Sequence, residues 1–196
     1  IPMPDVTNEK FQTIALFSLL IVIKGTGLAI YGPIFLPDSV DFTRFADLIL
    51  KEGLWLSHID MTHELWGVTS FRAVGYPLVL VMAKIVGGGV WSWIVILVQF
   101  AVSLVAAAYV FRLTRALSKS HWLGLLAAFC YGVGQTIVLD QTIYSNSLNA
   151  SILLILACHL GISIIDRRKP SIGEIAFLGC GILATFLIRE IGMYLQ

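Results

Sequence analysis

Charge is what this sequence has least of. The chain holds 13 Lys and Arg and 12 Asp and Glu, so 13% of its 196 residues are charged. A soluble domain carries about 25%, and so few charged side chains cannot face a chain of this size with water. The formal net charge is +1, so there is no basic field, and a nucleic-acid-binding module is excluded. Intrinsic disorder needs the opposite composition. No internal repeat and no low-complexity segment is visible. Cysteine is also sparse. Cys130, Cys158 and Cys180 have no CxxC spacing and no local His or carboxylate partner. They read as free thiols inside apolar spans, behaving as small hydrophobes. What fills the sequence instead is apolar surface: 58% hydrophobic residues and a mean hydropathy of +0.88. This is the composition of an all-α, polytopic integral membrane protein.

The positions of the charges support that reading. Residues 11–37 contain only Lys24, residues 85–111, 120–139 and 141–165 contain no charge, and residues 170–188 contain only Glu174. A spanning helix needs about 20 predominantly apolar residues. Five windows qualify: 11–33, 90–112, 121–139, 144–165 and 171–190. A sixth run, 76–86, is about half the needed length and carries Lys84, which fits a re-entrant or interfacial helix. Gly87, Gly88 and Gly89 then break it from the next span. The first apolar run is too long for a signal peptide and no small-residue cleavage site follows it. The chain does not begin with Met and stops just behind an apolar span. We therefore expect 1–196 to be a single transmembrane domain and one part of a longer protein.

Arg112, Arg115 and Lys119 form one basic cluster, and Arg167, Arg168 and Lys169 a second. The positive-inside bias puts both in the cytoplasm. They bracket two spans, so 139–144 becomes an outer turn. The segment before residue 90 is then outside, the N-terminus inside, and Arg189 and Glu190 return to the outer face. Trp91, Trp93 and Trp122 open spans at interfacial depth, as the amphipathic indole favours. Residues 38–75 form a large extracytoplasmic loop with Asp38, Asp41, Asp47, Glu52, Asp60 and Glu64, half of the 12 acids in the chain. A connection this long is usually functional. Its first part predicts an amphipathic helix over 39–52, lying on the outer membrane surface. Phe42, Phe45, Ala46 and Ile49 make its apolar face and Gly53 stops it. Asp38 or Ser39 stands at its cap, where a carboxylate gains from the helix dipole.

The stretch Pro37-Asp38-Ser39, with Phe42, Ala46, Leu48-Ile49-Leu50 and Gly53, resembles the first-loop motif of GT-C glycosyltransferases. These are polyprenyl-phosphate-sugar-dependent membrane enzymes, among them protein O-mannosyltransferases and lipid A aminoarabinose transferases. Arg72-Ala73-Val74-Gly75-Tyr76-Pro77-Leu78 is similar to the Arg-x-Pro-Gly-Tyr-Pro element of many bacterial members. Leu187-Ile188-Arg189-Glu190 is similar, more weakly, to an Arg at the outer end of a later span. There are departures. Val74 replaces the usual Pro, Phe42 the more frequent Tyr, and Asn146 stands where many members have a Glu in Ser/Thr-Glu-Ser/Thr-Leu. Asp140, one and a half turns away, is a weak substitute for that acid.

The resemblance implies transfer of a sugar from a polyprenyl-phosphate carrier to a glycan, lipid or protein acceptor, by one inverting displacement at the outer face of a bacterial inner membrane. The carrier phosphate leaves already ionised, so the acceptor hydroxyl is what needs a base. Asp38 is the first candidate and Asp41 the second. The lipid phosphate needs fixed positive charge, which Arg supplies with a planar fork. Arg72 and Arg189 are the candidates, with Tyr76 beside Arg72 in its motif. Lys24 is the third cation, because an ionisable residue within a span is a functional hypothesis by default. Gly25 and Gly27 could admit a close neighbour beside it. Snorkelling to the interface along its own stem is the alternative for Lys24, and an internal ion pair with an acid elsewhere in the full protein is a further one. No cofactor is implied. His58 and His63, five apart, do not share a helix face as a zinc pair would, so a divalent metal has little behind it. His159, inside a span, reads as an interhelical hydrogen-bonding residue. The rival to a transferase is a non-catalytic membrane protein, a transporter or an assembly subunit. A transporter should gather polar residues at midplane in repeated halves, whereas here they gather in one outer loop.

Overall fold

A computed structural model describes residues 6–53, 74–134, 139–167 and 169–188. Its regular elements are helices: α1 Val6–Tyr31, α2 Pro37–Glu52, α3 Gly75–Gly87, α4 Trp91–Ser118, α5 His121–Val133, α6 Ser145–Ile165 and α7 Ile172–Ile188. A single 3-10 turn, Gly88–Val90, joins α3 to α4. Sheet-type pairing among the described residues is one isolated bridge, Ile34 to Thr142. The chain is all-α.

Three helical stretches are long and apolar enough to cross a membrane: 7–31, 75–118 and 145–165. The second is not one rod. The Tyr76 hydroxyl donates to Gln99 Oε1 at 3.0 Å although the two are 23 residues apart, and 23 residues of straight helix would separate them by about 35 Å. The chain reverses at Gly88, whose φ of +50° is a conformation that suits glycine. The short run expected at 76–86 is therefore the 13-residue α3, folded back on the 28-residue α4. The spans expected at 121–139 and 171–190 correspond to helices of 13 and 17 residues. At 1.5 Å per residue α5 covers about 20 Å, less than the ~30 Å hydrocarbon thickness. Among the described residues three stretches are thus long enough to span, and α5 and α7 are shorter apolar helices.

The helices alternate in direction, as the charge pattern predicts. At one end Arg115 pairs with Glu9 at 2.7 Å, joining the end of α4 to the start of α1. At the other, Phe35 and Trp91 meet edge to face at 6.0 Å, joining the exit of α1 to the start of α4. Trp122 is two-thirds exposed and sits at the basic end, so indoles mark both ends. Ser171 and Glu174 cap α7 reciprocally: the Glu174 carboxylate accepts the Ser171 N–H at 2.8 Å and the Ser171 hydroxyl accepts the Glu174 N–H at 3.2 Å.

Interhelical packing uses small residues. Gly132 faces Leu20, Gly124 faces Phe111, Gly161 faces Leu113 and Gly181 faces Leu156, so α1·α5, α4·α5, α4·α6 and α6·α7 each seat a large side chain on a glycine. Such close approach is how helices pack where lipid removes any hydrophobic preference between them. Large apolar side chains such as Phe11, Ile21, Leu97 and Phe186 point outward. Cys130 and Cys180 are exposed on that outer face, and only Cys158 is buried. The expectation that all three thiols lie inside is corrected on this point, since an apolar side chain suits lipid as well as the bundle interior.

The tightest approach is at Gly75, where a Cβ would come within 2.5 Å of the Leu187 carbonyl oxygen. Backbone cannot yield as a side chain can. Gly75→Ala should destabilise the purified protein by roughly 1–3 kcal/mol, as overpacking does. Gly25→Ala should be neutral or stabilising, because a Cβ at Gly25 meets nothing within 4 Å and alanine is the better helix former. Thermal unfolding in detergent compares the two, and equal behaviour would contradict the packing.

Candidate functional site

Lys24 has Leu20 and Leu28 one turn before and after it on α1, and all three are buried. That face carries the ammonium into the bundle. Its partner is Asp140, in the short turn between α5 and α6. Lys24 Nζ donates to Asp140 Oδ2 at 2.5 Å, with side-chain exposures of 1% and 0%. Nζ also donates to Ser103 Oγ at 3.1 Å and stands 5.4 Å from the centre of the Phe100 ring. The Ser147 hydroxyl donates to the other Asp140 oxygen. The ammonium thus meets a carboxylate, a hydroxyl and an aromatic face, and the carboxylate has a partner on each oxygen. A buried pair persists only when its remaining hydrogen-bonding capacity is met in this way.

Residues 141–144, just after Asp140, are non-helical backbone inside the protein, and their polar groups need partners there. The Gln99 amide donates to the Asp140 and Thr142 carbonyls at 3.2 and 3.0 Å. Ile34 N–H donates to the Gln141 carbonyl at 2.8 Å and Ile143 N–H to the Ile34 carbonyl at 3.0 Å. The Ser39 hydroxyl donates to the Ile143 carbonyl at 2.6 Å. Five elements therefore meet at this turn: α1 with its exit strand, the start of α2, α3 through Tyr76 and Gln99, α4 and α6. The side chain that approaches Gly27 is Gln141, so that glycine admits the turn rather than a neighbouring helix.

The first turn of α2 stands against this construction. Leu36 is the N-cap residue, and its N–H donates to Ser39 Oγ at 2.9 Å. Asp38, expected at the cap, is instead inside the first turn, after Pro37. Asp38 and Asp41 are both partly exposed, and Asp38 adjoins Ser39, which is bonded to the turn. The predicted apolar face of Phe42, Phe45, Ala46 and Ile49 is buried, together with Ser39. It is covered by protein rather than lying on the membrane: Phe42 meets Tyr76 edge to face at 5.1 Å and tilts against Tyr144 at 6.3 Å. A phenol in place of Phe42 would need a polar partner in this pocket. Asp47 reaches Lys84 of α3 at 2.5 Å, and the Lys84 ammonium lies 4.9 Å from the Trp91 ring centre.

The candidate residues now separate. Lys24 and Tyr76 are almost fully buried and committed to Asp140, Ser103 and Gln99, so both hold the turn. Asp38 and Asp41 stand above it on α2. Arg72, Arg189 and the His58–Glu64 stretch lie outside the described residues. The flanks of the two arginines are described, however. Gly75 is packed directly on the Leu187 and Ile188 backbone, so the two motifs that carry Arg72 and Arg189 in sequence meet at this end. Among the described residues no group of three His, Cys, Asp or Glu is gathered as a metal site. His159 packs its ring at 6.0 Å from Tyr109 and 5.3 Å from Phe177, and its Nε2 makes no hydrogen bond among the described residues. Nε2 stands 3.8 Å from the Glu174 carboxylate of α7, so the polar contact of His159 is interhelical, as expected, but longer than a hydrogen bond.

Sequence reading passed over Gln99, Ser103 and Ser147. The available signal was that Gln99 and Ser103 are one turn apart in an uncharged span, which marks a polar stripe on α4. No family model matches the chain, and neither a curated protein nor a solved structure matches it.

Removing one partner of a buried pair leaves an uncompensated charge and typically costs about 3–5 kcal/mol. Lys24→Met should therefore destabilise the protein by about that much. Adding Asp140→Asn to it should recover part of the loss, since the amide needs no counter-ion. Denaturant titration of both variants checks this, and a double variant weaker than Lys24→Met would contradict the pairing.

Proposed function

We propose that the chain is the N-terminal part of a GT-C-type membrane glycosyltransferase. It moves a sugar from a polyprenyl-phosphate carrier to an acceptor hydroxyl at the extracytoplasmic face of a bacterial inner membrane. The acceptor oxygen attacks the anomeric carbon, the bond to the carrier phosphate breaks, and the configuration inverts. The acceptor proton goes to Asp38, with Asp41 as the second candidate, and the polyprenyl phosphate departs as an anion that needs no proton. Arg72 and Arg189 grip that phosphate in bidentate fashion. Lys24 and Tyr76 act as positioning residues beneath the carboxylates.

The observation that carries this reading is the meeting of three sequence motifs at one end of the bundle. The Asp38 helix is bonded to the 139–144 turn through Ser39, and the Gly75 and Leu187–Ile188 flanks of the two arginine motifs pack together. A transferase working at a membrane interface needs a carboxylate and a phosphate-binding cation at the same depth, and this arrangement supports that. The rival reading, a transporter, is favoured by one feature: a buried Lys–Asp pair within the bundle, a common mark of ion or proton pathways.

Asp38→Asn in the full-length protein, reconstituted with a polyprenyl-phosphate sugar, should lower transfer by about 10²–10⁴-fold, the range for loss of a general base. Its helix content by circular dichroism should stay unchanged, because Asp38 is partly exposed. Undiminished transfer removes Asp38 from the mechanism. Absence of any transfer by the wild-type protein, together with substrate-driven proton movement, favours the transporter.

A further inference from the structure

A second polar site lies at the opposite, basic end of the bundle. Glu9 and Lys10 at the start of α1, Arg115 near the end of α4 and His121 at the start of α5 rim a cleft of about 420 Å³, and Ile14 and Phe111 are among its apolar walls. Arg115 Nη2 donates to Glu9 Oε2 at 2.7 Å, which fixes the guanidinium across the cleft. Lys10 is exposed. His121 is only 9% exposed, and neither of its ring nitrogens makes a hydrogen bond among the described residues. Its Nδ1 stands 3.7 Å from Glu9 Oε2, and the Phe111 ring meets the imidazole edge to face at 5.5 Å. A buried imidazole held in place, lining a cleft and lacking a hydrogen-bond partner calls for a ligand with a polar atom.

We propose that this cleft binds the phosphodiester of a phospholipid in the leaflet at the basic end. The two bases outnumber the single acid, so the rim favours an anion. Phosphate oxygens suit the guanidinium fork and an imidazole N–H. The apolar walls separate a lipid from a free anion. Ile14 is 65% exposed, so the cleft opens sideways onto the lipid-facing surface of α1, where a glycerol ester and acyl chain would follow the phosphate inward. Trp122, beside His121 and 67% exposed, is at headgroup depth for the same leaflet. Glu9 orients Arg115, and its charge limits the cleft to one phosphate. This site is separate from the proposed chemistry at the other end, and it stands whether or not the chain is a transferase.

The test is native mass spectrometry of the purified full chain with dioleoyl-phosphatidylglycerol, with dioleoylglycerol, which lacks the phosphate, or with inorganic phosphate. The wild type should retain one phosphatidylglycerol and no dioleoylglycerol. Lys10→Gln and Arg115→Gln should each weaken retention about fivefold, the effect of one base near an anionic headgroup. His121→Ala should weaken it as well, while Lys51→Gln, in the proposed outer loop, should leave it unchanged. Lys10→Gln and His121→Ala spare the Arg115–Glu9 bond, so the test survives if Arg115→Gln fails to fold. Equal retention of dioleoylglycerol overturns the proposal, as does full retention by Lys10→Gln and His121→Ala. Displacement of the lipid by inorganic phosphate alone also overturns it, by making this a free-anion site.

Discussion

The contact between the Lys24 ammonium and the Asp140 carboxylate joins a helix near the start of the chain to a turn 116 residues later. Neither charge is tenable alone in this interior, because desolvating an unpaired ion costs several kcal/mol. Their pairing imposes conditions on everything around them. Asp140 leads directly into backbone that is not helical, 141–144, so Gln99, Ile34 and Ser39 must satisfy the carbonyl and amide groups of the turn. Gln99 in turn takes the hydroxyl of Tyr76, which brings α3 against α4, and Ser39 brings the start of α2 onto the same turn. The order of these dependencies runs from one ion pair to the placement of the helix that carries Asp38.

Parts of this were legible in the sequence. Lys24 was conspicuous as the single charge of residues 11–37, and an internal ion pair was one of three roles its position left open. Phe42, Phe45, Ala46 and Ile49 announced a buried face by their helical spacing. The partners were not legible. In a chain that lives in lipid, an apolar face is equally content against hydrocarbon or against protein, so periodicity could not say that α3 covers α2. The same indifference explains Cys130 and Cys180, which are apolar in sequence yet face outward. The helix ends were hidden for a related reason. Hydropathy continues through residue 139, but α5 ends at Val133 with Gly134 as its C-cap, and a hydropathy window does not register where the hydrogen-bond ladder stops. Asp140 was noticed only as a weak stand-in for a missing acid, because no local pattern links it to a lysine on the first helix.

The two ends of the bundle are chemically unlike. At the basic end, Arg115, Glu9 and His121 form an open cleft whose walls run into the lipid-facing surface, an arrangement suited to holding a headgroup. At the other end, polar atoms are drawn into a closed network and the partly exposed carboxylates of Asp38 and Asp41 stand above it on α2. An interfacial transfer reaction needs that division. The groups that touch substrate must be accessible, while the groups that fix their positions must not compete for it. Burying Lys24 against Asp140 keeps that cation from any ligand at the surface.

The central claim is that the ion pair holds the turn, and amide hydrogen exchange reads the turn directly. In the wild-type protein in detergent, the amides of Thr142 and Ile143 should exchange as slowly as the core of α4. In Lys24→Met they should lose most of that protection while α4 keeps its own, because the bridge to Ile34 depends on where Asp140 is held. Unchanged protection at Thr142 and Ile143 in that variant would contradict the account, since the turn would then be held by its backbone partners alone.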